Sequence, residues 1–170
     1  MIKTTEHIVQ TKGHCDVHDL TPALRQALTE SGLKEGQALV FVSGSTAGVT
    51  TVEFEPGLVR DLNEFFERLI PEKRDYFHHA TWGDDNGSSH LRAALLKPSL
   101  TVPFKNGQLL TGTWQQVVLI DFDTRPRRRS AVFQFIGVAQ RTSYFSSAAR
   151  CTYRHVMGLL QRVEQNLLDG

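Results

Sequence analysis

Between residues 75 and 90 one polar stretch carries Asp75, Tyr76, His78, His79, Asp84, Asp85, Asn86 and His90. Imidazole and carboxylate groups both present lone pairs at neutral pH, so this set suits zinc or another divalent ion, and equally proton transfer. The spacing matches no recognised zinc signature. His78 and His79 are adjacent, so on an extended segment they point to opposite sides and at most one of them joins His90. Solvated loop histidines are the plainer reading of the same residues.

A second set of side chains suits phosphate. Arg127, Arg128 and Arg129 follow Pro126, and a guanidinium matches phosphate oxygens bidentately. The plainer reading is a solvated turn between strands. Ser43-Gly44-Ser45-Thr46-Ala47-Gly48 is a small-residue turn, and such turns let backbone N–H groups approach a ligand closely. Glu53 follows on a strand pattern, where a carboxylate serves as general base, as metal ligand, or merely as an exposed strand residue. Trp114 and Gln115 open a strand after Gly112-Thr113; a tryptophan there is more often core than a stacking platform. The sequence contains no phosphate loop, dinucleotide fingerprint, nucleophile elbow or H-E-x-x-H.

These groups need a scaffold. The 170 residues suit one domain with a tail, and 40% hydrophobic residues suffice for a core. Nineteen Lys+Arg against eighteen Asp+Glu give a net charge of +1, which excludes a nucleic-acid binder driven by bulk charge. Cys15 and Cys151 provide neither a disulfide framework nor a cysteine zinc site and are read as unpaired and reduced. No run is long enough to span a membrane, and the N-terminus lacks the apolar core of a secretory signal, so the expectation is a soluble cytoplasmic protein.

The expected elements begin with a strand over Thr4–Thr11. A helix follows, with Thr21 as N-cap, Pro22 at its first position, Leu24, Ala27 and Leu28 on one face and Gly32 closing it. Gln37–Val42 reads as a buried strand and Val49–Glu55 as another. Leu58, Leu62, Phe65, Phe66 and Leu69 mark a second helix, stopped by Pro71. Residues 71–89 read as a long functional loop, after which Ser89 caps a short helix ended by Pro98. From Ser99 the texture is β: a hairpin around Asn106-Gly107, then Thr113–Asp123 and Ser130–Val138, joined by a basic turn at 125–129. Val156, Leu159, Leu160, Val163, Leu167 and Leu168 have helical spacing and predict a C-terminal amphipathic helix over 147–168.

Four blocks resemble the YjbQ family, also called the secondary thiamine-phosphate synthase family. Ser45–Leu62 (STAGVTTVEFEPGLVRDL) is similar to its H-T-[ST]-A-x-[LI]-T-x-N-E block and the helix after it. Tyr76-Phe77-His78 is similar to its Y-x-H, and Asp84–Leu96 to its D-[DN]-x-x-x-H-[LI]-[KR]. The last block runs from Ser99 through Asn106-Gly107 to Gly112-Thr113-Trp114-Gln115 and Asp121. The family histidine of the first block falls on Gly44 here, and its asparagine on Val52.

The resemblance implies a compact α+β sandwich, mostly antiparallel, over residues 1–140; residues 141–170, beyond the usual family end, are expected as a helical extension from their own apolar spacing. It implies a homotrimer and a pocket in which Glu53, His78 and His90 do the chemistry. A divalent metal, zinc or magnesium, would sit on His78 and His90, with His79 as a further candidate. Ser45, Thr46, Asp85, Asn86, Thr113, Trp114, Gln115, Arg127 and Arg129 would bind a phosphorylated small molecule. The implied reaction is weak thiamine-phosphate synthase chemistry, joining a pyrimidine diphosphate to a thiazole phosphate with loss of pyrophosphate. The other expectation is a non-catalytic binding or assembly protein of the same fold, which Gly44 and Val52 favour.

Overall fold

Hydrophobic alternation sets the β layers. The computed structural model describes residues 1–139. Eight strands and four helices follow in order: β1 (Ile2–Thr11), β2 (Asp16–Asp19), α1 (Thr21–Ser31), β3 (Glu35–Val42), β4 (Ala47–Val52), α2 (Pro56–Leu69), α3 (Phe77–Trp82), α4 (Gly87–Leu96), β5 (Ser99–Lys105), β6 (Gln108–Leu109), β7 (Gln116–Asp121) and β8 (Arg127–Val138). They form a five-stranded sheet β1-β8-β3-β5-β6 and a three-stranded sheet β2-β7-β4, antiparallel throughout. The α+β expectation is met. The helix expected over 147–168 lies outside the described residues.

Strand β7 is the middle layer. Val117 and Leu119 join the core shared with α1, β3 and β8, where Leu24, Leu28, Val40, Val42, Phe133 and Phe135 are buried. The alternate residues Val118 and Ile120 face Phe66 of α2, Ala93 of α4, Phe122 and Cys15. A strand buried on both faces reads as a continuous apolar run, as VVLI does. Burial pushes the free Cys15 thiol up to about 12. Gly48 admits α4 against β4, because a Cβ there would stand 2.9 Å from Leu96. Among the described residues no helix is long and apolar enough to cross a membrane.

Several boundaries differ from expectation. Leu20, not Thr21, is the N-cap of α1; Thr21 is buried and its Oγ1 accepts from Val117 N at 2.8 Å. Segment 71–89 is not all loop, since it holds α3, whose Phe77 and Trp82 are 99% and 75% exposed. No buried apolar face marks that helix, so periodicity cannot announce it. Helix α4 starts at Gly87 behind Asn86, two residues before the expected cap Ser89. Strand β4 ends at Val52, and Glu55 caps α2 instead, its carboxylate accepting from Gly57 N at 2.6 Å and from Leu58 N. The basic turn is the start of β8. Short strand β2 went unanticipated, and Trp114 is 71% exposed rather than core.

Candidate functional site

Helices α3 and α4 bring two of the expected histidines together. The rings of His78 and His90 lie 4.4 Å apart between centroids, tilted by 52°. Asp84 Oδ1 stands 3.3 Å from His78 Nε2. The Asn86 amide fits its neighbours in one orientation, assigned from the hydrogen-bond network: Nδ2 donates to Asp84 Oδ1 at 3.0 Å and to His78 Nε2 at 3.2 Å. In that arrangement neutral His78 carries its proton on Nδ1.

His90 sits at the rim of a cavity of about 430 Å3 lined chiefly by Gly44, Ser45, Ala47, Leu91, Ala93 and Ala94. Burial, the largest influence, pulls its imidazole below the usual value, and neighbouring His78 pulls the same way. Asp84, Asp123 and the Ser45 backbone oppose them. At neutral pH His90 is therefore uncharged, with a lone pair on one ring nitrogen.

His79 does other work. Its Nε2 accepts from Gly87 N at 3.2 Å, and its ring packs edge-on against Tyr76 at 5.5 Å. It thereby satisfies one of the free N–H groups opening α4. Among the described residues no three His, Cys, Asp or Glu side chains lie close enough to hold a metal ion. The donor set present does not fit the divalent metal that the resemblance implies, and a two-imidazole pair falls short of the three protein ligands usual for zinc.

Beside the pair lies a buried charged network. Arg129 grips Asp121 with Nε–Oδ2 at 2.7 Å and Nη2–Oδ1 at 2.6 Å, and Thr11 Oγ1 donates to the same carboxylate at 2.5 Å. Thr46 Oγ1 accepts from Arg129 Nη2 at 2.7 Å and donates to Asp123 Oδ2 at 2.9 Å, which also accepts from Arg127 Nε at 2.9 Å. Burial alone would push Asp123 up, but Arg127, Thr46 and Arg129 outweigh it and hold the carboxyl below the ordinary range. The two arginines expected to hold phosphate are thus engaged by aspartates. Arg129 Nη1 is the exception: it makes no hydrogen bond among the described residues and lies 2.9 Å from where a Cβ on Gly44 would stand.

The network touches the histidines through three loops. Thr46 follows Ser45, whose backbone faces His90. Ser89 Oγ, one residue before His90, donates to Phe122 O at 2.6 Å. Thr124 Oγ1 donates to Asp85 Oδ1 at 3.0 Å. Of the expected ligand-binding residues, Ser45, Thr46, Asp85, Asn86, Arg127 and Arg129 therefore gather around this end of β4 and β7.

The remainder do not. Glu53 lies exposed past the far end of β4, about 20 Å from Ala47 at the rise of an extended strand. Thr113, Trp114 and Gln115 share that far end, where Gln115 Nε2 donates to Thr51 Oγ1 at 3.1 Å and Gln116 Oε1 accepts from Phe54 N at 3.0 Å. One chain does not bring Glu53 to His78 and His90. Asp123, by contrast, was not singled out from sequence. Its signal is Asp121-x-Asp123 followed by Arg127-x-Arg129, an alternation that puts each like pair on one side of extended chain.

Residues 5–138 match the family described as UPF0047 protein YjbQ-like. A UPF0047 protein of Mycobacterium tuberculosis is 40% identical over 119 residues, covering 69% of this chain and 89% of the relative. One from Synechocystis is 34% identical over 131 residues, covering 76% and 88%. Among solved structures, a hypothetical protein of Aeropyrum pernix K1 superposes with a TM-score of 0.75 at 29% identity, covering 79% of this chain and 98% of that one. An uncharacterized conserved protein of the YjbQ/UPF0047 family from Clostridium acetobutylicum gives 0.70 at 32% identity, covering 78% and 99%.

Proposed function

The chain belongs to the UPF0047 YjbQ-like family, and from that premise we propose that His78 and His90 form a proton-transfer site acting on a phosphorylated small molecule in the cytoplasm. The observation that carries this reading is the imidazole pair at 4.4 Å with unequal surroundings. His78 Nε2 accepts from the Asn86 amide, which Asp84 holds in turn. His90 is kept uncharged by burial, the state a general base needs. Arg129 Nη1, beside Gly44, offers a charged donor to a phosphate oxygen. The reaction most in keeping with the family resemblance is of thiamine-phosphate synthase type. In such a reaction the lone pair of the thiazole ring nitrogen forms the new C–N bond to the pyrimidine's methylene carbon while the carbon–oxygen bond breaks. Pyrophosphate departs with that bond's electron pair. The thiazole nitrogen carries no proton, so the imidazole pair would exchange protons with the departing pyrophosphate.

No step is routed through a metal, because the described side chains do not assemble one. Elemental analysis of untagged wild-type protein beside Gly44→His tests this point. Stoichiometric zinc in the wild type overturns the metal-free reading.

Glu53, Thr113, Trp114 and Gln115 enter this reading only through a second copy. A homotrimer would let them serve a neighbouring chain's histidines. Mixing inactive His90→Ala with inactive Glu53→Ala then restores part of the activity, whereas two independent sites per chain give no rescue.

The central test is turnover of the pyrimidine diphosphate and thiazole phosphate by His78→Ala and His90→Ala. Both variants are expected to keep the wild-type circular dichroism spectrum and lose product formation. If wild type and variants alike bind inorganic phosphate calorimetrically without turnover, the non-catalytic binding protein is the correct reading. If both variants unfold, the histidines are structural.

A further inference from the structure

An unmatched donor and an apolar hollow meet at Gly44. Arg129 is 7% exposed, and its Nε and Nη2 are spent on Asp121 and Thr46, while Nη1 makes no hydrogen bond among the described residues. In so enclosed a residue an N–H without an acceptor is costly and rare. A Cβ on Gly44 would stand 2.9 Å from Nη1 and would meet no other side chain within 4 Å, so glycine leaves open the space beside this donor. The cavity that Gly44 borders is walled by Ala47, Leu91, Ala93, Ala94 and Pro98. Its polar side chains are Ser45 and His90, and no carboxylate, lysine or arginine lines it. At about 430 Å3 it falls in the size range of small-ligand pockets. Leu91 is 50% exposed and Ala94 is exposed beside it, so the wall keeps apolar area that the fold itself does not cover.

We propose that this cavity is a specificity subsite that receives the apolar body of the ligand, with Arg129 Nη1, beside Gly44, donating to an oxygen of its phosphate. The site then selects phosphate monoesters of apolar alcohols over sugar phosphates and free phosphate. This names the substrate class of the site proposed above and rests on that reading. Inorganic phosphate alone satisfies Nη1 but leaves the apolar wall wet. An apolar body displaces water from that wall, and the gain grows with the area covered. A polyhydroxylated body brings hydroxyls to a surface where only the Ser45 and His90 side chains can meet them, and those left over lose their water without replacement. Ala94 and Leu91 are thereby the residues that set the preference, and Gly44 is the one that keeps the donor open.

The test is calorimetric titration of the full-length protein with phenyl phosphate, glycerol phosphate and inorganic phosphate. Phenyl phosphate is expected to bind at least about tenfold more tightly than the other two. Ala94→Gln changes an exposed helical position to another good helix former. It puts an amide into the cavity and is expected to erase that preference while inorganic phosphate binds as before. The backbone at Gly44 lies outside the left-handed region, so alanine can adopt it. Gly44→Ala covers Nη1 and is expected to weaken all three probes by about tenfold. Should Gly44→Ala not fold, Ala94→Gln still decides. Equal affinities for the three probes in the wild type overturn the apolar subsite and leave the phosphorylated-ligand reading standing. A preference for phenyl phosphate that survives Ala94→Gln overturns it too, since the ring then lies elsewhere. Folded Gly44→Ala that binds like the wild type removes Arg129 from the site and overturns the proposal. Binding of none of the probes also overturns it, and turnover then decides the enzymatic reading on its own. The expected preference in a protein that turns over no phosphorylated substrate removes the enzymatic reading and leaves this inference in place.

Discussion

The two ends of the β2-β7-β4 sheet are built from the same short strands and solve different problems. At the end marked by Ala47 and Asp121, the Asp121 and Asp123 carboxylates and the Arg129 guanidinium are buried and need charged or hydrogen-bonding partners. A buried ion left alone is far more costly than a solvated one. That requirement pins the loops at 43–46 and 122–125 and, through Ser89, the start of α4. At the end marked by Val52 and Gln116, neutral amides and hydroxyls make contacts open to solvent. Water can replace those contacts, so they specify little. Motif resemblance put residues from both ends into one pocket. Only the charged end has the buried support that holds side chains in a fixed arrangement.

Arg129→Met is the harshest test of that contrast. It strands the bidentate Asp121 carboxylate in the interior and is expected to cost ~3–5 kcal/mol in a urea titration. A loss under 1 kcal/mol would mean that the network is not an exacting one. Ser89→Ala strips the buried Phe122 carbonyl of its donor and is expected to cost about 1–2 kcal/mol by the same measurement. At the other end the largest expected effect is Glu55→Ala. It removes an N-cap carboxylate that accepts from two opening N–H groups of α2, at about 1 kcal/mol. If Glu55→Ala cost more than Ser89→Ala, the two ends would not differ as argued.

The same contrast explains what could be read from sequence. Helices α1 and α2 were legible because Leu24 and Leu28, or Leu62 and Phe66, repeat at helical spacing and face a core. Strand β7 was legible as an apolar run. Helix α3 was not, since its sequence FHHATW turns its apolar residues to solvent. In the site, the pairing of His78 with His90 was anticipated from the family blocks. The separation of Glu53 from them was not, because a block match carries order along the chain and not distance in space. Asp123 escaped notice because its importance lies in the contacts of Oδ2, which depend on where Thr46 and Arg127 end up after folding. Three charges in succession at 127–129 look like a solvated turn. Extended backbone instead sends alternate members inward, and Arg129 is the one that Asp121 receives.

The pH dependence separates the ends more gently. His90 has a folded-state value below its unfolded one, so between the two the unfolded chain binds more protons. Stability at the charged end is expected to fall as pH drops below about 6.5, the ordinary histidine value, toward the folded value of His90. His90→Asn should flatten that part of the profile, read as melting temperature against pH. Asp123 is shifted downward from a carboxylate value, so its contribution persists through this window and is lost only at more acidic pH, well apart from the histidine step.

The smallest effect expected is that of Trp114→Ala. Tryptophan is the largest side chain, and in a core its removal would cost about 3–5 kcal/mol. Here it is 71% exposed at the solvated end, where substitutions usually stay within about 0.5 kcal/mol. The expected urea midpoint is therefore that of the wild type. If the proposed trimer exists, the same variant should behave differently at different protein concentrations. An exposed tryptophan that a second copy covers would show a concentration-dependent loss of melting temperature, and a solvated one would show none. A large loss that does not depend on concentration would place Trp114 in the chain's own core and erase the difference between the two ends.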